Sequence, residues 1–309
     1  MPAKRTTMAL VALALAAAVA AGASAQTKDV KLALPFPNGA AWLHLSVAEE
    51  LGYFKEEGLK VSVLSLNDSA ASFKAMATGQ ADFAFTGPAQ VLNGLAVGEA
   101  TVSIYNSYQG HVFQFAAPAD SRYKMIAEVG RGGADAVALR EKRIAAYSAS
   151  FVDMMAIELR GTKLHRFQEG PTASFISDCQ VASKATLDKD RKTAVGLSRA
   201  IAKATHFCME NAEACWAIIT MHVPDNGKNL DFTKPLLRYT LELHKVGPEG
   251  QGKWGYQSPK SWAAIHDFQI DSDQPKQKVK VVAGFTNELI ADINAFDAAK
   301  VAAAAKGYK

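Results

Sequence analysis

Residues 61–88 read VSVLSLNDSAASFKAMATGQADFAFTGP, and their punctuation decides the fold class. Val61–Leu66 is a short apolar run with the character of a strand. Asn67-Asp68-Ser69 supplies three helix-capping side chains, Ala70–Thr78 has helical apolar spacing, and Gly79 ends it. Ala81–Phe85 is a further strand, and Thr86-Gly87-Pro88 turns the chain with proline placed for a helix's first turn. Strand and helix alternating over connections this short point to a parallel sheet covered by helices.

The same grammar extends in both directions. Upstream, Val30–Leu34 reads as a strand, Pro37-Asn38-Gly39 as a turn and Ala40–Leu51 as a helix, with Gly52 and Gly58 as punctuation. Downstream come a helix over Ala89–Val97 and a strand over Thr101–Tyr105. Gly133–Arg160 repeats the helix–strand–turn–helix plan of Ala70–Leu95: helix to Lys142, strand Arg143–Tyr147, turn Ser148-Ala149-Ser150, then helix. One such unit per lobe is the expectation for a two-lobed α/β protein. The remainder reads as helical, over Thr193–Met209, Ala212–His222, Pro235–Val246, a helix starting at Ser258-Pro259, and Asn287–Phe296. Asp271–Lys280 reads as a polar loop and the Ala-rich tail as a fraying end.

Lys4 and Arg5 precede an uncharged run from Met8 to Ala21, and Ala23-Ser24-Ala25 has the small-x-small pattern that signal peptidase reads. The run is too short for a stable membrane span, which needs about 20 residues. Cleavage after Ala25 is expected, leaving Gln26 as the new terminus and no lipid-bearing cysteine. A net charge of +4 over 309 residues moves closer to neutral once Lys4 and Arg5 are gone, and no basic run carries interleaved aromatics. Nucleic acid is therefore not an expected partner. Of the three cysteines, Cys208 and Cys215 are the close pair. Seven residues on one unbroken helix would set them about 10 Å apart, beyond the roughly 4.4–6.8 Å a disulfide spans. A bridge needs a break, which Glu210-Asn211 offers with Asn211 as a cap; the alternative is two buried thiols.

A parallel sheet delivers helix N-termini to one edge, where unpaired N–H groups and partial positive charge suit an anion or polar head group. The turns that qualify contain Asn38 and Gly39, Asp68 and Ser69, Thr86 and Gly87, and Ser148 and Ser150, with Trp42 as a wall. Each also reads as an ordinary cap, and Trp42 as core; several at equivalent sheet edges point to a site. Catalytic and metal signatures are missing: no G-x-S-x-G, phosphate loop, H-E-x-x-H or C-x-x-C occurs, and the seven histidines show no close metal-ligand spacing. No catalytic residue, metal or cofactor is assigned.

Ala48–Leu59 (AEELGYFKEEGL) and Ala77–Pro88 (ATGQADFAFTGP) resemble two landmarks of the nitrate/sulfonate/taurine-type periplasmic binding proteins of ABC transporters. Trp254–Pro259 (WGYQSP) and Phe285–Leu289 (FTNEL) resemble the same group. The resemblance implies a type II binding-protein fold, with two α/β lobes closing on a ligand and docking on a permease served by an ATPase. The expected division is a leader over 1–25, a first lobe from 26–108 plus 220–309, and a second over 109–219. The chain departs from the family in two places. Ser150-Phe151 stands where many relatives carry an aromatic-acid pair. After Glu128, about 30–40 residues, the size of a strand–helix–strand unit, are missing, so the second lobe is expected to be shortened and ligand binding weakened or altered. The expected protein is a periplasmic, monomeric, non-enzymatic importer component for a small polar or anionic ligand. Its rivals are an enzyme like the pyrimidine-precursor synthases that share the fold, and a sensory ligand-binding module.

Overall fold

The apolar runs become eight strands in the computed structural model, which describes residues 27–119, 141, 146–167, 171–272 and 278–308. They are β1 (Lys28–Leu34), β2 (Leu59–Ser65), β3 (Phe83–Thr86), β4 (Thr101–Tyr108), β5 (Phe113–Pro118), β6 (Tyr147–Ser150), β7 (Leu164–Phe167) and β8 (Ser177–Ser183). A five-stranded sheet has the order β2-β1-β3-β8-β4 and a three-stranded sheet the order β6-β5-β7. β1 runs parallel to β2 and β3, while β8 runs antiparallel to β3 and β4. The smaller sheet is antiparallel throughout. The molecule is thus a two-lobed α/β protein.

Helices follow where caps and spacing direct them: α1 (Leu43–Glu50), α2 (Tyr53–Glu56), α3 (Ser69–Ala77), α4 (Pro88–Ala96), α5 (Phe151–Leu159), α6 (Lys184–Lys189), α7 (Arg191–Glu210), α8 (Ala212–His222), α9 (Leu230–His244), α10 (Pro259–Asp271), α11 (Ile290–Ile293) and α12 (Ala298–Gly307). Side chains alternate across a strand, so neighbouring residues of the large sheet feed opposite cores. Leu32 and Leu34 join Phe83, Phe85 and the buried faces of α1, α7 and α8 on one side. Ala33 and Ala84 join Val91, Leu92 and Trp262, from α4 and α10, on the other. A smaller core of Ala116, Tyr147, Ala149, Met154 and Ile157 holds α5 on the small sheet.

Four sequence expectations change. Ser177–Ser183 and α7, expected in the second lobe, pack with the first: β8 fills the gap between β3 and β4, and α7 lies against α1. The chain therefore crosses between sheets after Tyr108 and again before Ser177, with Val112 N donating to Ser177 Oγ at 3.1 Å. Ser148-Ala149-Ser150 is not a turn but strand β6, because β5 supplies its antiparallel partner. The helix expected over Asn287–Phe296 shrinks to α11. Its two asparagines mimic backbone pairing instead: Asn287 brackets Gln257, and Asn294 brackets Trp254, at 2.8–3.0 Å. The tail does not fray, since Val301 and Ala305 are buried against the first lobe's core. The leader, the break after Glu128 and most of the Gly133–Lys142 helix lie outside the described residues.

α7 ends at Glu210 and Asn211 caps α8, its Oδ1 accepting from Ala214 N at 3.0 Å. That interruption brings the Cα atoms of Cys208 and Cys215 to 5.0 Å, and the two form a disulfide; Cys179 is free and buried. Closing so short a loop contributes about 2–3 kcal/mol by the chain-entropy account. Cys208→Ser/Cys215→Ser should lose about that much in urea titration. Thiol assay of the unfolded, unreduced protein should find one thiol; three would rule the bridge out.

Within the WGYQSP stretch, Gly255 sits at φ +83° and its carbonyl accepts from Asn106 N at 2.9 Å. A Cβ there would lie 2.1 Å from the ring of Tyr105, which is itself fully enclosed. Gly255→Ala should therefore cost about 3 kcal/mol through overpacking and backbone strain together. An unchanged denaturation midpoint would contradict this.

Candidate functional site

A cavity of about 310 Å³ opens between the two sheets. The turn between β1 and α1 forms its first wall, because Pro37 and Gly39 bend the chain before the helix starts. Asn38 Oδ1 accepts from Gly39 N at 2.9 Å, closing that bend locally. Gly39 leaves room for the Asn226 amide, whose Nδ2 would stand 3.3 Å from any Cβ added there. Trp42 is buried at the base of this wall, its ring 5.0 Å from Phe85 and 6.0 Å from Tyr108. The opposite wall is Phe113 with the first turn of α5, whose Phe151 N donates to Val112 O at 2.8 Å. The crossing chain thus fixes the second wall to the first.

The structure brings Asn38, Gly39, Trp42, Ser69 and Ser150 to this one cavity. Asp68, Thr86, Gly87 and Ser148 are not among its lining. Asp68 is an N-cap, Oδ1 accepting from Ala71 N at 2.7 Å. Thr86 is buried and Oγ1 donates to Ser69 O at 2.8 Å, which positions Ser69 without reaching the cavity. Gly87 caps α4, and Ser148 is on the exposed side of the β6 pleat.

Asp178, which the sequence alone does not single out, is one of the two acids of the lining. It lines the cavity and is only 5% exposed. Its φ of +31° is a left-handed value that a side chain disfavours, placed within an otherwise extended strand. Among the described residues no donor is hydrogen-bonded to its carboxyl. Burial pushes that carboxyl up to about 7. Burial, and then the Asp178 charge, hold the Tyr108 hydroxyl well above its usual range. The Tyr108 hydroxyl donates instead to Ala41 O. Asp178 is the one charged residue of Phe175–Ala182, and nothing local in the sequence sets it apart from a surface acid.

Three helical N-termini reach this cleft: the turn Ala40–Trp42 that leads into α1 has no side-chain cap, while the other two are served by protein side chains. Asp68 caps α3, while Ser150 caps α5 and Asp153 sits in its first turn, accepting from Ser150 Oγ at 2.8 Å. The lining carries two carboxyls, Asp153 and Asp178, and no lysine, arginine or histidine among the described residues. Beside it lie two histidines that do not line it. His44 is fully buried, with neither ring nitrogen bonded to a described residue. His244 pairs Nδ1 with Thr240 O at 2.7 Å and Nε2 with Ser107 Oγ at 3.3 Å. Their ring centroids are 5.6 Å apart. Burial, then the His244 charge, lower His44 well below the usual histidine range, and burial lowers His244 to about 4. Both are neutral imidazoles at neutral pH.

A larger depression of about 630 Å³ lies between α5 and α9, but it is shallow and its charges are largely paired, Arg166 with Glu158 and Lys245 with Glu242. Among the described residues no group of three His, Cys, Asp or Glu is placed to hold a metal ion. No helix among them is long and apolar enough to cross a membrane.

Residues 41–132 match the family described as NMT1/THI5 like. No curated protein matches the chain in sequence. Solved structures match it over most of its length. A protein of Bordetella bronchiseptica RB50 has a TM-score of 0.68 at 20% identity, covering 87% of this chain and 98% of that one. The periplasmic aliphatic sulphonate binding protein SsuA from Escherichia coli has 0.62 at 13%, covering 82% and 96%. The periplasmic nitrate-binding protein NrtA from Synechocystis PCC 6803 has 0.56 at 11%, covering 92% and 99%. Cleft, strand order and these likenesses agree with the resemblance carried by the sequence motifs: the chain has the fold of the periplasmic binding proteins, and its residues 41–132 match the NMT1/THI5-like family.

Proposed function

We propose that this chain is the exported solute-binding component of an ABC importer, holding a small organic ligand between its lobes and presenting the closed form to a membrane permease driven by an ATPase. One lobe comprises residues 27–108 with 177–308, and the other residues 113–167. The observation that carries this reading is one cavity to which turns of both lobes contribute, so that a bound ligand touches both and favours their approach. Likeness in fold to proteins whose names give sulphonate and nitrate binding supports the class. Binding rather than catalysis is supported by the histidines, since His44 and His244 lie outside the cavity lining and are held neutral by burial. Thermal-shift screening of the protein starting at Gln26 against sulfonates, nitrate, carboxylates and nitrogen heterocycles tests the reading. A ligand should raise the melting temperature with concentration, as binding to the folded state alone requires. Silence across the panel would sink it. Mass spectrometry of exported protein should find Gln26 first; Met1 would overturn export.

A further inference from the structure

We infer that the cleft takes a ligand with a flat apolar body and a cationic nitrogen head, amidinium or ammonium in class, which Asp178 accepts, and that it disfavours sulfonates and other anions. This rests on the cleft being the ligand site.

Several observations converge on it. Asp178 points a buried acid into the cavity with no donor from the described residues, and a buried carboxyl without a partner is unfavourable until a donor reaches it. Its left-handed backbone adds strain at the same position, and such strain collects where a site needs a side chain aimed. The second charged group of the lining, Asp153, is also an acid, so an anion in the cavity would meet two carboxyls and no cation among the described residues. Of the helical N-termini at the cleft, those of α3 and α5 are capped, by Asp68 and by Ser150 with Asp153, and only the turn Ala40–Trp42 has no side-chain cap among the described residues. The walls meanwhile are apolar and largely aromatic: Phe36, Trp42, Val112, Phe113, Phe151 and Leu236. Such rings favour a flat body and attract a cation over their faces. A volume of about 310 Å³ suits a ligand built on one ring or two.

The groups around the Asp178 carboxyl do not supply its countercharge. Tyr108, from β4, and Cys179, the next residue of β8, are both held in their neutral forms by burial. Asp153, from α5, adds only negative charge.

Calorimetric titration of the mature protein at pH 8 with benzamidine, benzamide, benzoate and benzenesulfonate tests the inference, because the four share a ring and differ in the head. Benzamidine should bind at least about tenfold more tightly than benzamide, the worth of one charge-assisted hydrogen bond. The two anions should show no binding up to about 10 mM. In Asp178→Asn the benzamidine preference should disappear. The wild-type ranking decides the matter even if that variant folds poorly. An anion binding as tightly as benzamidine, benzamidine no tighter than benzamide, a preference that survives in Asp178→Asn, or no binding at all would each overturn the inference. If an anion wins, the solute-binding reading stands while this one falls. If the wider thermal-shift panel is silent too, both fall.

Discussion

At pH 8, Asp178→Asn should make the ligand-free protein more stable than the wild type, by about 2–4 kcal/mol. The carboxyl titrates near 7 in the folded state against an ordinary 3.8, so above pH 7 folding confines a charge that the unfolded chain would hydrate. Between those two values the folded state binds the extra proton, and stability therefore rises as pH falls from 7 towards 4. Tyr108 and Cys179, its titratable neighbours, stay neutral throughout this window. The advantage of asparagine should thus shrink on acidification and nearly vanish by pH 4. Urea titrations of both proteins at pH 8, 6 and 5 read this directly. A variant equally destabilised at every pH would mean that Asp178 is an ordinary structural residue. A stabilising loss of a pocket acid is what a site maintained for binding produces, since natural proteins commonly give up stability for function.

The second large effect has the opposite sign. His244 titrates near 4 when folded and near 6.5 when unfolded, and His44 is lowered in the same direction. In that interval the unfolded chain holds more protons, so stability falls as pH drops through 6.5 and the loss for His244 is complete only near 4. It amounts to about 3 kcal/mol for His244, and His44 adds to it. His44→Leu should be stabilising even at neutral pH, by about 1–3 kcal/mol, because it removes two buried ring nitrogens without described partners and keeps an apolar volume. Its margin over wild type should then widen between pH 7 and 5. Parallel stability curves for the two proteins would refute the coupling. Because Asp178 and the histidines act oppositely, Asp178→Asn should lose stability more steeply with acid than the wild type does, although it starts higher.

Much of the first lobe was legible because its boundaries are written in local chemistry. Asp68 caps α3, Gly79 adopts a left-handed φ of +75°, and Pro88 opens α4. Those signals need no knowledge of the rest of the chain. The turn holding Asn38 and Gly39, with Trp42 after it, was readable for the same reason. β8 was not. Buried on both faces, it shows no alternation, and the Oε1 of its polar Gln180 accepts from Ser198 Oγ of a distant helix at 3.0 Å. Asp178 was hidden with it, and Asn226 likewise, since each enters the cleft through tertiary packing. Thr86 shows the converse: its sequence context is that of a contact residue, but its hydroxyl is spent on the backbone of Ser69. A capping residue and a ligand-binding residue have the same local sequence, and only geometry separates them.

The position of β8 has a consequence for how the polypeptide becomes organised. A nascent chain that has emerged only as far as the small sheet lacks the piece that belongs between β3 and β4, leaving two unpaired ladders facing each other across an empty slot. Until residue 183 is out, the major hydrophobic layers have no centre to condense on, and pairings of such long sequence separation form slowly. Assembly of this protein is therefore a late event, closer to the locking of an arch by its keystone than to growth outward from one end.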